Sequence, residues 1–190
     1  MKCLVCGNWS FSHLCRPCRA LYLEPSLRTR KILGTIPVHS FYRYDDIAPL
    51  LHTKHTDLGH YVYTLLARES FARFSGAFEH ETPVAAVGID DHVRRGYSHT
   101  AILARQLKSG SVTPRYGRLR ARNRESYSGR SYQYRLLHPR RFVLREFAEE
   151  EVILVDDILT TGLTLTQAAE TLHRSGKRVL FALTLADAQK

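Results

Sequence analysis

The apolar positions of this 190-residue chain fall into short continuous runs that alternate with longer stretches of helical spacing. Helical spacing over residues 97–108 and over residues 163–173, the latter closed by Gly176, predicts two amphipathic helices. The apolar runs around them predict three buried strands, at residues 83–89, 151–155 and 178–185. The order strand, helix, strand, helix, strand predicts a doubly wound α/β domain with a parallel sheet.

The part of the chain that precedes this pattern is more varied. Residues 35–44 are extended and aromatic in character, which predicts a connector or a first strand, and residues 59–74 have apolar side chains at helical spacing. Residues 109–145 are polar, and we predict an irregular segment there. The first 35 residues lack a periodic apolar pattern and hold all four cysteines. The sequence therefore predicts a small Cys module at residues 1–35 and an α/β domain at residues 36–190.

The cysteines form two CxxC pairs with eight residues between them, at Cys3, Cys6, Cys15 and Cys18. Each pair can bring two thiolates to one ion, and four thiolates complete the closed tetrahedral shell of a structural zinc site. A module this short has a small core, so metal binding would supply its folding free energy. Two redox-active CxxC pairs or four free thiols are the alternatives, and His13 could replace one cysteine. A structural Zn²⁺ is the prediction.

Two acids and a hydroxyl-rich turn follow the predicted strand at residues 151–155. Asp156 and Asp157 come first, and the turn from Leu159 to Thr164 leads into the next helix. Ligands of parallel α/β sheets bind at the carboxyl ends of strands, and backbone N–H groups at a helix N-terminus bind phosphate. Acids beside such a pocket suit sugar hydroxyls, with Mg²⁺ nearby. An ordinary turn with Thr caps and a solvated Asp pair is the alternative.

The composition excludes some classes of protein, and the positions of the charged residues show where the net positive charge lies along the chain. The chain is 44% hydrophobic and 24% charged, which excludes wholesale disorder, and no GxxxxGK[ST] or GxGxxG motif supports an ATPase or a dinucleotide-binding protein. Lys plus Arg number 28 against 18 Asp plus Glu, a net charge of +10. The segment from Arg115 to Arg145 holds ten arginines and one acid, Glu125, so 10 − 1 = +9 of that charge is local.

Tyrosines interleave with the arginines of this segment. Arginine for backbone phosphates and aromatic rings for base stacking is the arrangement of single-stranded nucleic-acid binding. A solvated loop and a hood over a substrate are the alternatives. The predicted nucleic-acid-binding residues are Arg115, Arg118, Arg120, Arg122, Arg124, Tyr127, Arg130, Tyr132, Tyr134 and Arg135.

The string from Val152 to Thr164, with its aliphatic residues, two acids and Thr-Thr-Gly turn, resembles the 5-phosphoribosyl pyrophosphate (PRPP) signature of type I phosphoribosyltransferases. With the Cys module and the string Arg94-Arg95-Gly96-Tyr97, nearly the whole chain resembles the ComF family. That family fuses a small zinc module to a type I phosphoribosyltransferase-like parallel sheet flanked by helices. Ser98, His99 and most of the central region depart from the family pattern.

The resemblance implies a site for PRPP, accompanied by Mg²⁺. Asp156 and Asp157 would hold the ribose hydroxyls, and Arg94 and Arg95 the pyrophosphate, with a solvated loop as the alternative for the two arginines. The 5′-phosphate would lie on Thr160, Thr161, Gly162 and Thr164.

ComF proteins are tied to natural competence, in which incoming single-stranded DNA is taken up. The resemblance therefore implies single-stranded DNA and other competence or DNA-translocation proteins as partners. An active phosphoribosyltransferase that acts on a nucleobase or another acceptor is the alternative function.

The distribution of apolar residues also bears on location. No stretch reaches the roughly 20 apolar residues that span a bilayer, and residues 1–10 lack the apolar run of a signal peptide. We predict a cytoplasmic protein, with partners that can hold it at the inner face of the membrane. His52 and His55 could form a metal pair, although a hydrogen-bonded helix start is the favoured interpretation. Trp9, the only tryptophan, is predicted to cover the Cys module.

Overall fold

A computed structural model describes residues 1–90, 96–122 and 132–189, apart from the side chains of His55, Asp90, Tyr132, Arg135 and Leu136. The strands are β1 (Arg28–Ile32), β2 (Ile36–Arg43), β3 (Val84–Asp90), β4 (Val112–Pro114), β5 (Leu119–Ala121), β6 (Phe142–Leu144), β7 (Glu151–Leu159) and β8 (Arg178–Asp187). The helices are α1 (Arg16–Tyr22), α2 (Tyr44–Leu51), α3 (Gly59–Glu69), α4 (Phe71–Ala77), α5 (His99–Arg105), α6 (Tyr132–Leu137) and α7 (Leu163–Arg174). A 3₁₀ turn, His52–His55, follows α2.

One mixed sheet organises the chain. Its centre is parallel, with β2, β8, β7 and β3 in that spatial order. β3 also pairs in parallel with β4 and β5, and the antiparallel pairs β1–β2 and β5–β6 lie at the two sides. The carboxyl ends of the central strands therefore meet at one edge, and the predicted α/β fold with flanking helices is confirmed.

Helices cover both faces of the sheet, and β7 shows how the two faces are separated. Val152 and Leu154 pack in one apolar cluster with Leu172 of α7. Ile153 and Val155 belong to the other cluster, which contains side chains of α2, α3, α4 and α5. Successive side chains of a strand point to opposite faces, and this alternation holds from Val152 to Val155. It breaks at the end of the strand, where Ile158 packs against the cluster of Ile153 and Leu159 belongs to the cluster of Val152.

Three predicted elements differ from the structure. The helix expected over residues 59–74 is two helices, because the backbone turns at Ser70 (φ −119°, ψ −74°). The described parts of residues 109–145 are not irregular throughout, because they contain β4, β5, α6 and β6. The β7 strand runs on to Leu159, since its polar residues pair with β8 as far as Asp187. Three-residue strands and polar strand ends have no apolar period that a sequence pattern can detect.

The predicted Cys module packs against the α/β domain. Leu14 and Leu23 are buried in the same apolar cluster as α3 and α4, and Arg19 pairs with Glu69 at the end of α3. β1, near the end of the module, pairs with β2 and so extends the sheet. The division after residue 35 stays a prediction. In the described parts of the chain, we find no helix with the length and apolar content needed to cross a membrane.

Candidate functional site at the carboxyl edge of the sheet

The two acids of the signature lie within β7. Asp156 pairs across the sheet with Thr184 of β8, and the strand continues for three residues beyond it. The Asp157 side chain contacts residues of α3 and α5. Asp156 is half-buried, and its Oδ1 accepts a hydrogen bond from the Asp157 backbone N–H at 2.9 Å.

Asp157 is 6% exposed and is held by side chains from three elements. Lys54, in the 3₁₀ turn after α2, donates from Nζ to Oδ2 at 2.9 Å. The Tyr63 hydroxyl of α3 donates a longer hydrogen bond to the same oxygen at 3.4 Å, and His99 Nε2 of α5 lies 3.6 Å from it. One carboxylate oxygen of Asp157 therefore points into the protein rather than toward the open edge.

The two carboxyl groups differ in their electrostatics. Burial and the adjacent Asp157 carboxylate raise the pKa of Asp156 to about 7, against the opposing charges of Arg140 and Lys54. Burial also favours protonation of Asp157, but the charges of His99 and Lys54 and the Lys54 hydrogen bond hold its pKa well below its usual range. Asp157 is thus a fixed anion, whereas Asp156 can change its charge near neutral pH.

The turn after β7 has the form of a phosphate cradle. Gly162 is the N-cap of α7 with φ +79°, and the 12-residue helix begins at Leu163. Thr160 and Thr161 are exposed, Thr164 is half-buried, and Thr161 Oγ1 accepts from the Leu163 N–H at a long 3.4 Å. Free backbone N–H groups and the helix dipole make such a start attractive to an anion.

Arg30 of β1 binds both to this turn and to the end of β8. Its Nη1 donates to the Thr160 carbonyl at 3.0 Å and to Oδ1 of Asp187 at 2.9 Å. Asp187 ends β8 and is 4% exposed. The pair therefore ties the candidate phosphate turn to the end of the neighbouring strand.

Gly162 is required both for its backbone conformation and for space. A Cβ at this position would lie 2.8 Å from Cγ2 of Ile32. Gly176 is a matched control, because its φ is +76° and an added Cβ would meet no described atom within 4 Å.

We expect Gly162→Ala to lower the free energy of unfolding by more than Gly176→Ala does. The left-handed conformation costs about 1–2 kcal/mol in both variants, and the contact with Ile32 adds to the cost at residue 162 alone. Urea denaturation of the two variants measures the difference in their free energies of unfolding. Equal losses in the two variants would show that the close approach of residue 162 to Ile32 does not affect stability.

The four cysteines converge as the spacing predicts. Their sulfurs all lie within 4.8 Å of one another, and Cys6 Sγ is 3.7 Å from Cys15 Sγ. Thiolates about 2.3 Å from a tetrahedral zinc lie roughly 3.8 Å apart, so the donor set fits a metal such as zinc. The Cys15 backbone N–H donates to Cys3 Sγ at 3.4 Å, a contact that supports a thiolate.

Two aromatic side chains near the cysteines, His13 and Trp9, differ in their contacts and exposure. His13 lies with its ring centroid 5.0 Å from that of Tyr61 in α3. Trp9 is 82% exposed, so the prediction that it covers the Cys module is wrong. The backbone of Trp9 forms an isolated antiparallel bridge with Lys2.

In the segment from Arg115 to Arg145, some arginines bond to other groups of the protein and others are exposed. Arg115 makes a bidentate ion pair with buried Glu149 (2.6–3.0 Å), and Arg118 donates to the Glu146 carbonyl at 2.8 Å. Tyr134 stacks on His138, while Arg120 and Arg122 are exposed. The remaining predicted residues lie outside the described residues or have undescribed side chains: Arg124, Tyr127, Arg130, Tyr132 and Arg135, as do Arg94 and Arg95 of the predicted pyrophosphate site.

Sequence reasoning did not assign Lys54, Tyr63, His99 or Arg140 to the site. Each is a polar or titratable side chain, and no local pattern marks it as part of the site. Lys54 is 103 positions from its partner Asp157, so no local spacing could reveal the contact. His52, of the suggested metal pair, instead shares a hydrogen bond with the Tyr44 hydroxyl at 2.9 Å.

Comparisons with known proteins support this description of the domain. The family model described as the phosphoribosyl transferase domain matches residues 68–190. Among solved structures, an adenine phosphoribosyltransferase is similar at 18% identity and a TM-score of 0.45, over 90% of this chain and 88% of that one. An orotate phosphoribosyltransferase from Aeropyrum pernix gives 18% and 0.40, over 90% and 80%.

A hypoxanthine phosphoribosyltransferase from Staphylococcus aureus gives 19% identity and a TM-score of 0.39, over 67% of this chain. The match covers 64% of that enzyme, so this chain spans less than two thirds of its length. None of the curated proteins matches the chain.

Proposed function

Because this chain belongs to the phosphoribosyl transferase domain family, we propose that it binds PRPP with Mg²⁺ and transfers the phosphoribosyl group to a nucleobase or another acceptor. The observation that carries the proposal is the junction of β7 and α7. There the Asp156–Asp157 pair, a left-handed Gly162 and the start of a 12-residue helix lie in sequence at the carboxyl edge of a parallel sheet.

Each part of PRPP has a chemical counterpart at this edge. The 5′-phosphate would lie on the turn formed by Thr160, Thr161, Gly162 and Thr164, where backbone N–H groups and the helix dipole favour an anion. The ribose would lie at the Asp156–Asp157 pair, because carboxylates accept hydrogen bonds from neutral hydroxyls without meeting another negative charge.

Transfer breaks the bond between C1 of the ribose and a pyrophosphate oxygen and forms a bond from C1 to the acceptor. Arg94 and Arg95, which precede α5, are the proposed contacts for the departing pyrophosphate. Mg²⁺, held by oxygens of the pyrophosphate, would supply further neutralisation of its charge when bound. The Asp156 carboxylate would also stabilise the positive charge that develops at C1.

The pKa of Asp156 gives this proposal a pH signature. The carboxylate accepts stronger hydrogen bonds from ribose hydroxyls than the protonated acid does, and burial and the adjacent Asp157 carboxylate raise the pKa of Asp156 to about 7. Mg²⁺–PRPP affinity should therefore rise as the pH increases through that value and level off above it, with about a tenfold difference one pH unit below the pKa. The charged groups that act on Asp156 are Asp157, Arg140 and Lys54.

Calorimetric titration across this pH range measures the profile. The ligand's own phosphates also titrate, and the Asp156→Asn variant shares that contribution while lacking the titrating carboxyl. Identical profiles in the wild type and the variant would contradict the assignment of Asp156 to the ribose.

We also propose that the metal of the Cys module is zinc in a structural role. Cys3, Cys6, Cys15 and Cys18 supply four sulfur donors, and soft thiolate donors favour zinc over hard cations such as Mg²⁺. Four thiolates leave no position open for a reacting water.

A second candidate function is a ComF-like role in DNA uptake, in which the chain handles incoming single-stranded DNA. The supporting observation is a basic surface on the antiparallel β5–β6 pair, where Arg120 and Val143 pair with each other and both are exposed. Arg122, Arg141 and Arg145 flank this pair and are also exposed. In this role the protein would act in the cytoplasm with other competence or DNA-translocation proteins, which could hold it at the inner face of the membrane.

Salt dependence tests the nucleic-acid proposal. Single-strand affinity should fall with salt, with a log–log slope of about −0.7 for each phosphate contact. The double variant Arg120→Gln, Arg122→Gln should flatten that slope, whereas Arg68→Gln with Arg174→Gln, at exposed positions on other elements, should leave it unchanged. A slope near zero for the wild type would refute an electrostatic single-strand site.

A further inference from the structure

We propose that Cys6 is an oxidation site of the Cys module, at which a hydroperoxide joins Cys6 to Cys15 in a disulfide and thereby releases the metal. This site rests on the structural zinc proposed above and goes beyond it, because it gives the four cysteines different chemical roles. The spacing of the two CxxC pairs treats them as equivalent, whereas their surroundings in the folded chain differ.

The four cysteines differ first in their access to solvent. Cys3 and Cys18 are buried, at 3% and 6% exposure, whereas Cys15 is half-buried and Cys6 is exposed. Gly7 follows Cys6, and even an added Cβ at residue 7 would meet no described atom within 4 Å. The loop therefore leaves the Cys6 sulfur open on this side, and a dissolved oxidant reaches it before the two buried sulfurs.

The charges of the module favour the reactive form of an exposed cysteine. Residues 1–23 contain Lys2, Arg16 and Arg19 and no Asp or Glu. Reactive cysteines typically lie in electropositive, partly exposed surroundings, and the thiolate is the nucleophilic form. Metal ligation also requires the thiolate, so Cys6 in the loaded module is already deprotonated.

Cys15 is the cysteine best placed to react with an oxidised Cys6. The two sulfurs lie 3.7 Å apart, and a disulfide bond of about 2.05 Å requires a further approach of about 1.7 Å. Cys3 is buried, and its sulfur accepts a hydrogen bond from the Cys15 backbone N–H at 3.4 Å. The expected disulfide therefore joins the two CxxC pairs instead of closing one of them.

The reaction with hydrogen peroxide balances in two steps. The Cys6 thiolate attacks one peroxide oxygen, the O–O bond breaks, and sulfenic acid and hydroxide form. The Cys15 thiolate then attacks the Cys6 sulfur, so that the S–S bond forms, the S–O bond breaks and a second hydroxide leaves. Two solvent protons convert both hydroxides to water, and the two electrons lost by the thiolates reduce the peroxide. Only Cys3 and Cys18 remain as thiolate ligands, half of the set that a closed zinc site needs.

Leu14 links the oxidation site to the α/β domain. It directly precedes Cys15 and is fully buried in the apolar cluster that contains side chains of α3 and α4. Helix α3 also carries Tyr63, whose hydroxyl donates to Asp157 of the candidate site. Amide hydrogen exchange of α3 should therefore rise on oxidation and return to its first value after a thiol reductant and Zn²⁺ are added. Unchanged exchange in α3 would contradict this link.

Peroxide treatment of the full-length, zinc-loaded protein tests the site. The released zinc is measured colorimetrically, and differential alkylation with mass spectrometry identifies the cysteines that became oxidised. We expect about one zinc released for each disulfide formed, with Cys6 and Cys15 as the oxidised pair. Oxidation mainly within one CxxC pair, or of Cys3 with Cys18, would overturn the assignment.

Two further measurements do not depend on the disulfide. A short alkylation pulse on the zinc-loaded protein should label Cys6 at least about tenfold faster than Cys3 or Cys18, and equal rates would contradict the assignment. Cys6→His keeps a four-donor set that zinc accepts and removes the oxidisable sulfur. It should release zinc about tenfold more slowly in peroxide than the wild type does, and an unchanged rate would overturn the role of Cys6. The pulse and the disulfide map use the wild type, so they stay decisive if Cys6→His does not fold.

A zinc assay before oxidation separates this oxidation site from the proposed structural metal. Wild-type protein that holds about one zinc per chain but fails the pulse or the disulfide map would refute the oxidation site alone. Wild-type protein that binds no zinc would refute the structural metal, and the oxidation site with it.

Discussion

Removal of the proposed zinc is expected to unfold the Cys module and to lower the thermal stability of the whole chain. Metal binding contributes about 10 kcal/mol or more to folding in small thiolate modules. Leu14 and Leu23 of this module are fully buried in the apolar cluster that also contains α3 and α4. Loss of the module would therefore expose part of the domain core, so the expected effect extends beyond residues 1–35.

Circular dichroism melts with and without a chelator, alongside a colorimetric zinc assay, measure this effect. Cys18→Ser should behave like the chelated protein, because Cys18 is one of the four clustered donors. His13→Asn is the matched control: it alters the only histidine between the CxxC pairs and should retain one zinc per chain. Unchanged melting after complete zinc removal would contradict a structural metal.

Lys54→Met is expected to be the most destabilising single substitution around the acidic pair. It leaves the Asp157 carboxylate, 6% exposed, without the ammonium that lies 2.9 Å away. Removing one partner of a buried ion pair costs about 3–5 kcal/mol. Lys108→Met, at an exposed position, is the control and should change stability by about 0.5 kcal/mol or less.

The loss in Lys54→Met should depend on pH in a defined direction. Because the folded-state pKa of Asp157 is lowered, the pair contributes stability above the unfolded pKa, about 3.9, and this contribution disappears as the pH falls through the folded value. The deficit of Lys54→Met should thus be largest near neutral pH and shrink in acid, where a protonated Asp157 needs no cation. Denaturation at several pH values checks this, and a deficit that does not change with pH would mean that the ion pair is not its cause.

The sequence was informative where apolar patterning and local chemistry coincide. The strands β3 and β8 and the helix α7 have the apolar runs and helical spacing that buried elements require, and they appear in the structure close to their predicted bounds. The strand β7 begins where it was predicted, at Glu151. The Cys module and the β7–α7 turn were also visible, because ligands that converge on one ion or one phosphate are spaced closely along the chain.

The features that the sequence did not reveal depend on long-range contacts or on short polar elements. The partners of Asp157 lie in α3, α5 and the 3₁₀ turn, about 60 to 100 residues earlier, and nothing local marks them. The extension of β7 past Val155 is stabilised by pairing with β8, which a run of two acids does not suggest. The sequence predicts Arg115 as one of many nucleic-acid contacts, whereas the structure pairs it in a bidentate manner with Glu149.

Amide hydrogen exchange of the protein with and without Mg²⁺–PRPP tests the phosphoribosyl site most directly. We predict new protection at residues 156–166, where the ribose and the 5′-phosphate would contact Asp156 and the backbone N–H groups at the start of α7. Protection confined to other parts of the chain, or no change at saturating ligand, would contradict a phosphoribosyl site at the carboxyl end of β7.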